Sequence, residues 1–416
     1  MGSLTFLLGI GLLARLGMLF WYLSTHGWTP ETWEYEKIAL NLLEKHEFSY
    51  PYLGNDYRSY VGTVFPFFCY LLHVIGGQSL ALYVVVHLSL GLTTVWLTYR
   101  LASKWLGAQT GSIAGLMVAL EPGLVVYNSY KVDVLTLAIC LLLIGLAVFD
   151  RVTSTGQYRW SALLGGLVGV AILTRLDLIA LLAPYVLWLI RGGHPRRAIL
   201  VHGLLATGLA IVLMTPWIAR NYAVHGRLLL TTTSGEQLWI GNHEGATGAP
   251  DPSGSASLRA APSSIRDAVV RGTELEQYDA FRTEAVRTIL GDPAGFFHRA
   301  LRKFAYFWWF TPAYGEFYQK IPKGLRDTYR FGYAILLILA VMGAVTVRAI
   351  DDKRTRLLLW SALAIMFVIA FIHAAYFVEG RHRVLVMPLL LMFSAQGASI
   401  LAVRAIRSRR LPGTLP

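Results

Sequence analysis

The sequence has little charge and almost no cysteine. Asp, Glu, Lys and Arg make up only 15% of its 416 residues, against about a quarter in a typical soluble protein. Its mean hydropathy is +0.51. The two cysteines, Cys69 and Cys140, lie in apolar runs, which argues against a disulfide framework and against a cysteine metal cluster. This composition indicates a membrane protein with many spans.

Several functional signals are also missing. The chain has no Gly-rich nucleotide loop and no Asp-x-Asp pair in a soluble domain, so a nucleotide-sugar donor is not indicated. Its histidines show no spacing typical of metal ligands, and no metal site is predicted. The net charge of +13 would suit nucleic acid, but no soluble domain carries a basic face with interleaved aromatic residues.

Apolar runs recur along the whole chain, and about 20 such residues cross a bilayer core of about 30 Å. They predict ten transmembrane helices at about 4–23, 79–99, 109–127, 132–149, 160–174, 176–190, 198–218, 327–347, 357–376 and 384–403. We expect the first run to be an anchor and not a signal peptide, because it lacks a basic start and a small-residue cleavage site. A shorter apolar segment, 62–76, is expected to lie half-inserted or at the interface.

The basic residues follow this predicted topology. Clusters of Lys and Arg occupy every second connection, as expected of cytoplasmic loops. These clusters are Arg100/Lys104, Arg151/Arg159, Arg191/Arg196/Arg197, Arg348/Lys353/Arg354/Arg356 and Arg404/Arg407/Arg409/Arg410. The alternation predicts a multi-pass protein of the cytoplasmic (inner) membrane with both termini in the cytoplasm.

The same topology leaves two long loops outside, 24–78 and 219–326, in a single transmembrane domain 1–416. Thr29 and Pro30 are typical of a helix start, and they predict an amphipathic helix from Glu31 to about Lys45 on the outer membrane surface. The second loop is expected to carry two helices, in "ELEQYDAFRTEAVRTIL" and "DPAGFFHRALRKFAYFWWF", and no core of its own.

Three carboxylates open the first predicted helix. On a helical wheel Glu31 falls within the apolar arc, Glu34 at its edge and Glu36 on the far side. Acidic residues in a first turn also suit the helix dipole, so a helix-end charge is the alternative to a functional role. The inward position of Glu31 favours a functional role, because a solvated acid has little reason to face the membrane side.

Five stretches, in order along nearly the whole chain, resemble elements of one family. They are "ETWEYEKIALNLLEKHEFSY", "EPGLVVYNSYKVDVLT", "GLVGVAILTRLD", "TPWIARNYAVHGRLLLTTTSGEQLWIGNHEGATG" and "VEGRHRVLVMPLLLM". Together they resemble the GT-C membrane glycosyltransferases, in the branch of protein O-mannosyltransferases and the lipid A aminoarabinose transferase. Two positions depart from the family pattern: Glu31 stands where Asp is usual, and Asp133 where Glu is usual.

The resemblance implies an all-α polytopic bundle of about ten transmembrane helices with external juxtamembrane helices. It also implies an inverting transfer of a sugar from a polyprenyl-phosphate donor to an acceptor outside the cytoplasmic membrane. The partners would be the lipid-linked sugar, membrane lipids and a lipid, glycan or protein acceptor, without nucleic acid. No cofactor is predicted, although some relatives use a divalent cation. The sequence indicates neither the sugar nor the acceptor.

Such a reaction needs a carboxylate base and cations for the departing lipid phosphate. The catalytic candidates are Glu31 as base, Glu34 as its substitute, and Asp133. The candidate phosphate ligands are Arg175, Arg381, Arg383 and Lys131, with Arg58 and Arg220 as lesser candidates. Structural alternatives remain open: a Lys131–Asp133 pair, a helix-end role for Arg175, and salt bridges from the 381/383 arginines to acids such as Glu379.

Two other functions compete with the transferase. A transporter or lipid flippase would also place charges within the membrane, but transporters usually show an internal repeat, and none is found here. A lipid-sugar binding protein with the same fold and without catalysis would tolerate the substitution at Glu31. Release of free polyprenyl phosphate would distinguish an enzyme from both.

Overall fold

The structure is a computed structural model that describes residues 4–27, 32–77, 79–191, 195–249, 258, 261–310 and 322–409, with side chains up to 403 at the carboxyl end. The described chain is almost entirely helical, with one two-stranded antiparallel hairpin, Tyr50–Tyr52 (β1) with Asn55–Tyr57 (β2).

The described residues form a bundle of α-helices. In chain order they are α1 Leu4–His26, α2 Glu34–Lys45, α3 Val64–Gly76, α4 Ala81–Leu106, α5 Ala108–Leu120, α6 Pro122–Tyr127, α7 Leu135–Thr155, α8 Tyr158–Thr174, α9 Ala183–Arg191, α10 Arg196–His225, α11 Thr233–Asn242, α12 Ser263–Arg271, α13 Glu274–Gly291, α14 Pro293–Trp308, α15 Lys323–Thr346, α16 Lys353–Ala375, α17 Gly380–Val384 and α18 Met387–Arg409. Short 3-10 helices cover Leu176–Leu182 and Val347–Ala349.

Six described helices are long and apolar enough to cross a membrane: α1, α4, α7, α10, the segment Lys323–Ala349 that starts with α15, and α16. Shorter apolar helices are α3, α5, α8 and the Met387–Val403 part of α18. Each of the ten predicted spans coincides with a helix or a pair of helices. Most buried apolar residues form one core cluster that runs through the bundle.

Two predicted spans are interrupted. The run 109–127 breaks at Glu121, whose extended backbone separates α5 from α6. Pro122 causes the break because it has no N–H for the helix ladder, and the Glu121 side chain caps α6 through the Leu124 N–H at 2.6 Å. The run 176–190 begins as a 3-10 helix and becomes α-helical only at Ala183.

An ion cluster joins three helices at the end of the bundle remote from α2. The Asp150 carboxylate on α7 pairs with Lys104 on α4 and with Arg354 on α16. It also accepts a hydrogen bond from Trp105 Nε1 at 3.2 Å. Three of the predicted basic connections, Arg100/Lys104, Arg151/Arg159 and Arg348/Lys353/Arg354/Arg356, hold these cations or flank Asp150, so they lie at one end of the bundle. We call Asp150, Lys104, Arg354 and Trp105 the closed cluster.

The first inter-helix segment departs from prediction in two ways. Helix α2 begins at Glu34 and not at Glu31, because Thr32 and Trp33 are not helical. Glu36 does not face away from the protein: its Oε1 lies 3.4 Å from Nε2 of His73 on α3, and its side chain is 14% exposed. The wheel was wrong there because it cannot show that α3 packs along α2.

The second segment carries the two predicted helices, as α13 and α14. Helix α13 starts with a capping box in which Thr273 and Glu276 satisfy each other's backbone N–H groups. A small apolar cluster around Trp239, Ile265 and Phe281 lies within this segment. The segment is fixed to the bundle by Lys303, as described below.

Candidate active site

Side chains from four separate segments lie close enough, at the end of the bundle where α2 lies, for their charges to affect one another. They are Glu34 and Tyr35 of α2, Asp133 before α7, Arg175 after α8, and Arg381 of α17. These groups affect one another's pKa values. Glu34 and Asp133 raise the pKa of Arg381, and Asp133 and Tyr35 raise that of Arg175. We call these five residues the open cluster.

Glu34 is the carboxylate with the most unusual environment in the open cluster. Burial raises its pKa, the Arg381 charge opposes that rise, and the charges of Asp133 and Glu379 add to it. Apart from its own backbone N–H, no described residue donates a hydrogen bond to this carboxylate. A partly buried carboxylate with a raised pKa and no donor from another described residue is suited to accept a proton.

Asp133 lies between α6 and α7 and is 3% exposed. Its Oδ1 accepts a hydrogen bond from the Leu135 N–H at 2.8 Å, which satisfies a free donor at the start of α7. The side chain is therefore oriented by the backbone. The negative charge of Asp133 raises the pKa of Glu34, as does the burial of Glu34.

Arg175 is held in place by Asp177. Its Nε and Nη2 donate to the two carboxylate oxygens of Asp177 at 3.1 and 2.7 Å, so the pair is bidentate. Its side chain is only 15% exposed, which rules out a helix-end arginine that reaches into solvent. In the described part of the chain its Nη1 has no hydrogen-bond partner, and this nitrogen is the one that a ligand could use.

A glycine allows the first segment to approach Arg175. A Cβ on Gly62 would lie 2.3 Å from the Leu173 carbonyl oxygen and 3.3 Å from that of Thr174. Only glycine therefore permits the chain before α3 to lie against the end of α8. This contact brings the α2–α3 segment next to the Arg175 loop.

Arg381 forms an ion pair with Glu379, and the pair is about one-third exposed. The Glu379 carboxylate raises the pKa of Arg381, and Asp133, Tyr127 and Glu34 raise it further. The salt bridge to Glu379 that the sequence left as an alternative is present. It does not saturate a guanidinium, which has five N–H donors.

A pair of histidines connects the two arginines, and the sequence analysis did not identify it. His373 Nε2 lies 3.0 Å from Asp177 Oδ2, and its ring stacks on that of His382 with a centroid distance of 3.8 Å. His382 Nδ1 accepts the Glu379 N–H at 3.2 Å. Burial lowers the pKa of His382, as do the charges of His373, Arg175 and Arg381. His382 is therefore neutral and His373 supports Asp177.

Lys303 attaches the second segment beside this network. Its Nζ donates to the carbonyl oxygens of Tyr376 at 2.8 Å and Gly241 at 3.1 Å, and to Asn242 Oδ1 at 2.9 Å. Burial, with Arg299 and Arg302 nearby, lowers the pKa of Lys303 to about 7. The contact fixes the chain that leads from α16 to Glu379 and Arg381.

Other predicted site residues lie elsewhere or outside the description. Glu31 lies outside the described residues. Lys131 Nζ is 5.6 Å from the centroid of the Trp33 ring and 5.4 Å from that of Tyr127, near the open cluster. Arg383 points away from Arg381: its Nη1 donates to the Trp309 carbonyl at 2.6 Å, and its guanidinium lies over the Tyr333 and Phe310 rings.

Arg58 and Arg220 form a separate group. Arg220 Nη1 donates to the Arg58 carbonyl oxygen at 2.6 Å and to Asn221 Oδ1 at 3.0 Å, while the Arg58 N–H donates to Glu274. The structure thus does not bring these two arginines into the open cluster. Within the described ranges, no three His, Cys, Asp or Glu side chains come together in a group that could hold a metal ion.

Comparisons with known proteins concern the fold of the chain. The family model "dolichyl-phosphate-mannose-protein mannosyltransferase" matches residues 61–219, less than half of the chain. The apo crystal structure of the Archaeoglobus fulgidus oligosaccharyltransferase aligns with a TM-score of 0.56 and 12% identity, over 99% of this chain and 52% of that one. The chain has the GT-C fold.

The predicted resemblance to the GT-C superfamily, and the predicted all-helical polytopic bundle, are thereby confirmed. The same archaeal protein, AglB, in complex with an inhibitory peptide and a dolichol-phosphate, aligns with a TM-score of 0.55 and 12% identity, over 99% of this chain and 52% of that one. The GT-C chain described here spans about half the length of these oligosaccharyltransferases.

ArnT from Cupriavidus metallidurans bound to undecaprenyl phosphate aligns with a TM-score of 0.38 and 14% identity, over 96% of this chain and 77% of that one. No curated protein sequence is significantly similar to the chain.

Proposed function

We propose that this GT-C protein is an inverting membrane glycosyltransferase that moves a sugar from a polyprenyl-phosphate donor to an acceptor. The acceptor hydroxyl or amine attacks the anomeric carbon as the bond from that carbon to the phosphate oxygen breaks. The proton of the attacking group goes to a carboxylate of the α2 segment. The bonding electrons leave with the phosphate as free polyprenyl phosphate.

The observation that carries the proposal is the open cluster. It combines a partly buried carboxylate that has a raised pKa with two arginines whose ion pairs leave N–H groups for an anion. Charge develops on the phosphate in the transition state, and fixed cations near it stabilise that charge. The match to the mannosyltransferase family model supports a lipid-linked donor, as does the dolichol-phosphate bound to AglB.

Glu34 takes the role of base for which the sequence favoured Glu31. It lies in the open cluster and its charge acts on Arg381, so base and phosphate ligand would stand on the two sides of the anomeric carbon. Glu31 precedes it in the same segment and remains a second candidate. Asp133 would keep the two arginines charged and raise the pKa of Glu34, and its Oδ1, which accepts the Leu135 N–H, is less available for the proton than Glu34.

The proposal also places the protein in the cytoplasmic membrane with the open cluster outside and the closed cluster inside. The basic residues at the closed-cluster end support this orientation. An impermeant maleimide should label Asp56→Cys, an exposed position in strand β2, in intact cells. It should label Arg196→Cys only after permeabilisation; the reverse pattern would overturn the orientation.

A turnover assay tests the function itself. Purified protein in lipid nanodiscs is incubated with synthetic polyprenyl-phosphate sugars and a membrane extract as acceptor source, and free polyprenyl phosphate is measured. Release that depends on both the protein and the extract supports a transferase. A transporter, a flippase or a binding protein would bind the lipid without releasing the sugar, and that result would overturn the proposal.

A further inference from the structure

Four tyrosines form a wall beside the open cluster. The Tyr60 ring is the centre: its centroid lies 4.7 Å from that of Tyr50, 5.0 Å from that of Tyr52 and 5.7 Å from that of Tyr57. Tyr50 and Tyr52 belong to β1 and Tyr57 to β2. The Tyr60 ring is tilted or perpendicular to the other three, whereas the Tyr50 and Tyr52 rings stack at 23°, so the wall presents both ring faces and hydroxyl groups.

One member of the wall is buried by packing, and the other three are partly exposed. Tyr57 is 3% exposed and its hydroxyl donates to Gln277 of α13, so this ring is part of the packing. Tyr50, Tyr52 and Tyr60 are only partly buried. In the part of the chain that the structure describes, the hydroxyls of Tyr50 and Tyr60 have no hydrogen-bond partner.

A carboxylate borders the wall. Glu236 of α11 accepts a hydrogen bond from the Tyr52 hydroxyl at 2.8 Å. Burial raises the pKa of Glu236 to about 6, and the Tyr52 bond opposes that rise. One hydrogen bond leaves most of the acceptor capacity of this carboxylate unused.

The wall lies near the proposed base and is joined to α11 by hydrogen bonds. The charge of Glu34 raises the pKa of both Tyr50 and Tyr60, and the charge of Glu236 also raises that of Tyr60. The Thr232 N–H donates to the Ser59 carbonyl oxygen at 2.8 Å, and the Thr233 hydroxyl to that of Tyr60 at 2.9 Å. Tyr60 and the start of α11 are therefore held together without a ligand.

We propose that Tyr50, Tyr52, Tyr60 and Glu236 form a subsite for a sugar ring next to Glu34. The C–H face of a sugar stacks on aromatic rings, while its hydroxyls bond to phenols and to a carboxylate. The wall supplies both kinds of contact, since its partly exposed rings stand beside phenol groups and a carboxylate with remaining acceptor capacity. The proposal rests on the proposed function, since it places the sugar at the proposed base.

The sugar in this subsite has two sources, the lipid-linked donor or the acceptor. To separate them, affinities are measured for decaprenyl phosphate and for decaprenyl-phosphate linked to mannose, glucose, galactose or arabinose. The methyl glycosides of the same four sugars are tested without lipid. A donor subsite makes wild-type protein prefer at least one glycosylated lipid over decaprenyl phosphate. An acceptor subsite makes it bind a methyl glycoside.

The variants are Tyr60→Ala, Tyr52→Ala and Glu236→Gln, with Tyr222→Ala as the control because Tyr222 is exposed at the end of α10 and outside the wall. In each wall variant the affinity for the sugar-bearing ligand should be about tenfold lower than in wild type, which corresponds to one aromatic or charge-assisted contact. Affinity for bare decaprenyl phosphate should stay unchanged, which also shows that the variant is folded. Tyr60→Phe keeps the packing and serves if the alanine variant does not fold.

The two possible failures can be told apart. If wild-type protein binds no sugar in either form, or if wall variants bind every sugar as wild type does, the subsite is wrong. If wild-type protein fails to bind decaprenyl phosphate and releases none from any glycosylated lipid, the proposed function itself is wrong. Loss of sugar binding in Tyr222→Ala to the same extent would also overturn the subsite, because the effect would not be specific to the wall.

Discussion

The closed cluster and the open cluster use the same kinds of residues and treat them differently. In the closed cluster a single carboxylate, that of Asp150, takes the charges of Lys104 and Arg354 and a hydrogen bond from Trp105. In the open cluster no other described residue donates a hydrogen bond to Glu34 or pairs with Nη1 of Arg175. The carboxylate of the closed cluster is fully engaged, whereas the open cluster retains capacity for a ligand.

We infer that the difference separates structural charges from functional ones in a chain that has few charges. A buried carboxylate that is fully paired joins helices and leaves little for a substrate. A partly buried carboxylate with a raised pKa, beside arginines that are only partly used, is typical of a binding site. We therefore expect substitutions in the open cluster to alter chemistry and substitutions in the closed cluster to alter stability.

The largest effect is expected from Glu34→Gln. The amide keeps the shape of the side chain and cannot take the proton, so turnover should fall about 10²- to 10⁴-fold while decaprenyl phosphate affinity stays within about threefold. Glu44→Gln, an exposed acid on the same helix, is the matched control and should keep wild-type turnover. If Glu31→Gln loses turnover and Glu34→Gln does not, the base is Glu31.

The pH profile sharpens the same comparison. The base works only when ionised, and burial raises the pKa of Glu34. Turnover should therefore be present above this raised pKa and fall about tenfold per pH unit below it. An ordinary glutamate has a pKa of about 4.3, and the acid limb of the pH profile should lie above that value. The limb should be absent from the residual activity of Glu34→Gln. An unchanged acid limb in that variant would assign the titration to another group.

The next largest effect is expected from the arginines. Arg175→Ala and Arg381→Ala should each weaken decaprenyl phosphate binding about 10- to 100-fold, because a charge-assisted hydrogen bond contributes about 1.5–3 kcal/mol. Lys should restore little where the contact is bidentate. Arg227→Ala removes an exposed pair with Asp279 and serves as control. Wild-type donor affinity in both cluster variants would exclude the phosphate role.

A smaller effect is expected from the histidine pair. His373→Leu removes the donor to Asp177, so Asp177 should hold Arg175 more tightly and decaprenyl phosphate affinity should fall about three- to tenfold. His373→Gln can still donate to Asp177 and should remain near wild type. The readout is the KM for the lipid donor against kcat. Equal losses in both variants, or a loss in kcat alone, would contradict a positioning role.

The smallest effect on turnover is expected from Asp150→Asn. It leaves two cations with a weaker partner, so the free energy of unfolding should fall by about 1–3 kcal/mol, and the Tm should fall with it. Turnover per folded molecule should stay unchanged. Asp279→Asn breaks an exposed pair and should change stability by less than about 1 kcal/mol. A large loss of turnover in Asp150→Asn without a change in Tm would remove the distinction between the clusters.

The sequence predicted the fold well because spans and helix starts depend on local signals. Runs of apolar residues indicated where the bundle helices lie, and Thr273 with Glu276 marks the start of α13. The break at Glu121 was missed although Pro122 signals it, since apolar residues continue on both sides. The predicted start of α2 was wrong, since Thr32 and Trp33 are not helical and the helix begins at Glu34.

The site was only partly predictable. Glu34, Asp133, Arg175 and Arg381 were found, because charges in apolar surroundings are conspicuous in a sequence. His373 and Asp177, 196 residues apart, carry no local signal of their contact. Neither do Glu36 and His73, or Lys303 and the carbonyls it binds. Arg383 follows Arg381 by two residues, and only the α17 backbone shows that the two side chains diverge.

The most direct test of this account is a density map of the protein with decaprenyl phosphate in lipid nanodiscs. The account predicts a phosphate within hydrogen-bond distance of Arg381 and of the free Nη1 of Arg175, on the side that faces Glu34. A phosphate held by Arg58 and Arg220, or bound at the closed cluster by Lys104 and Arg354, would contradict it.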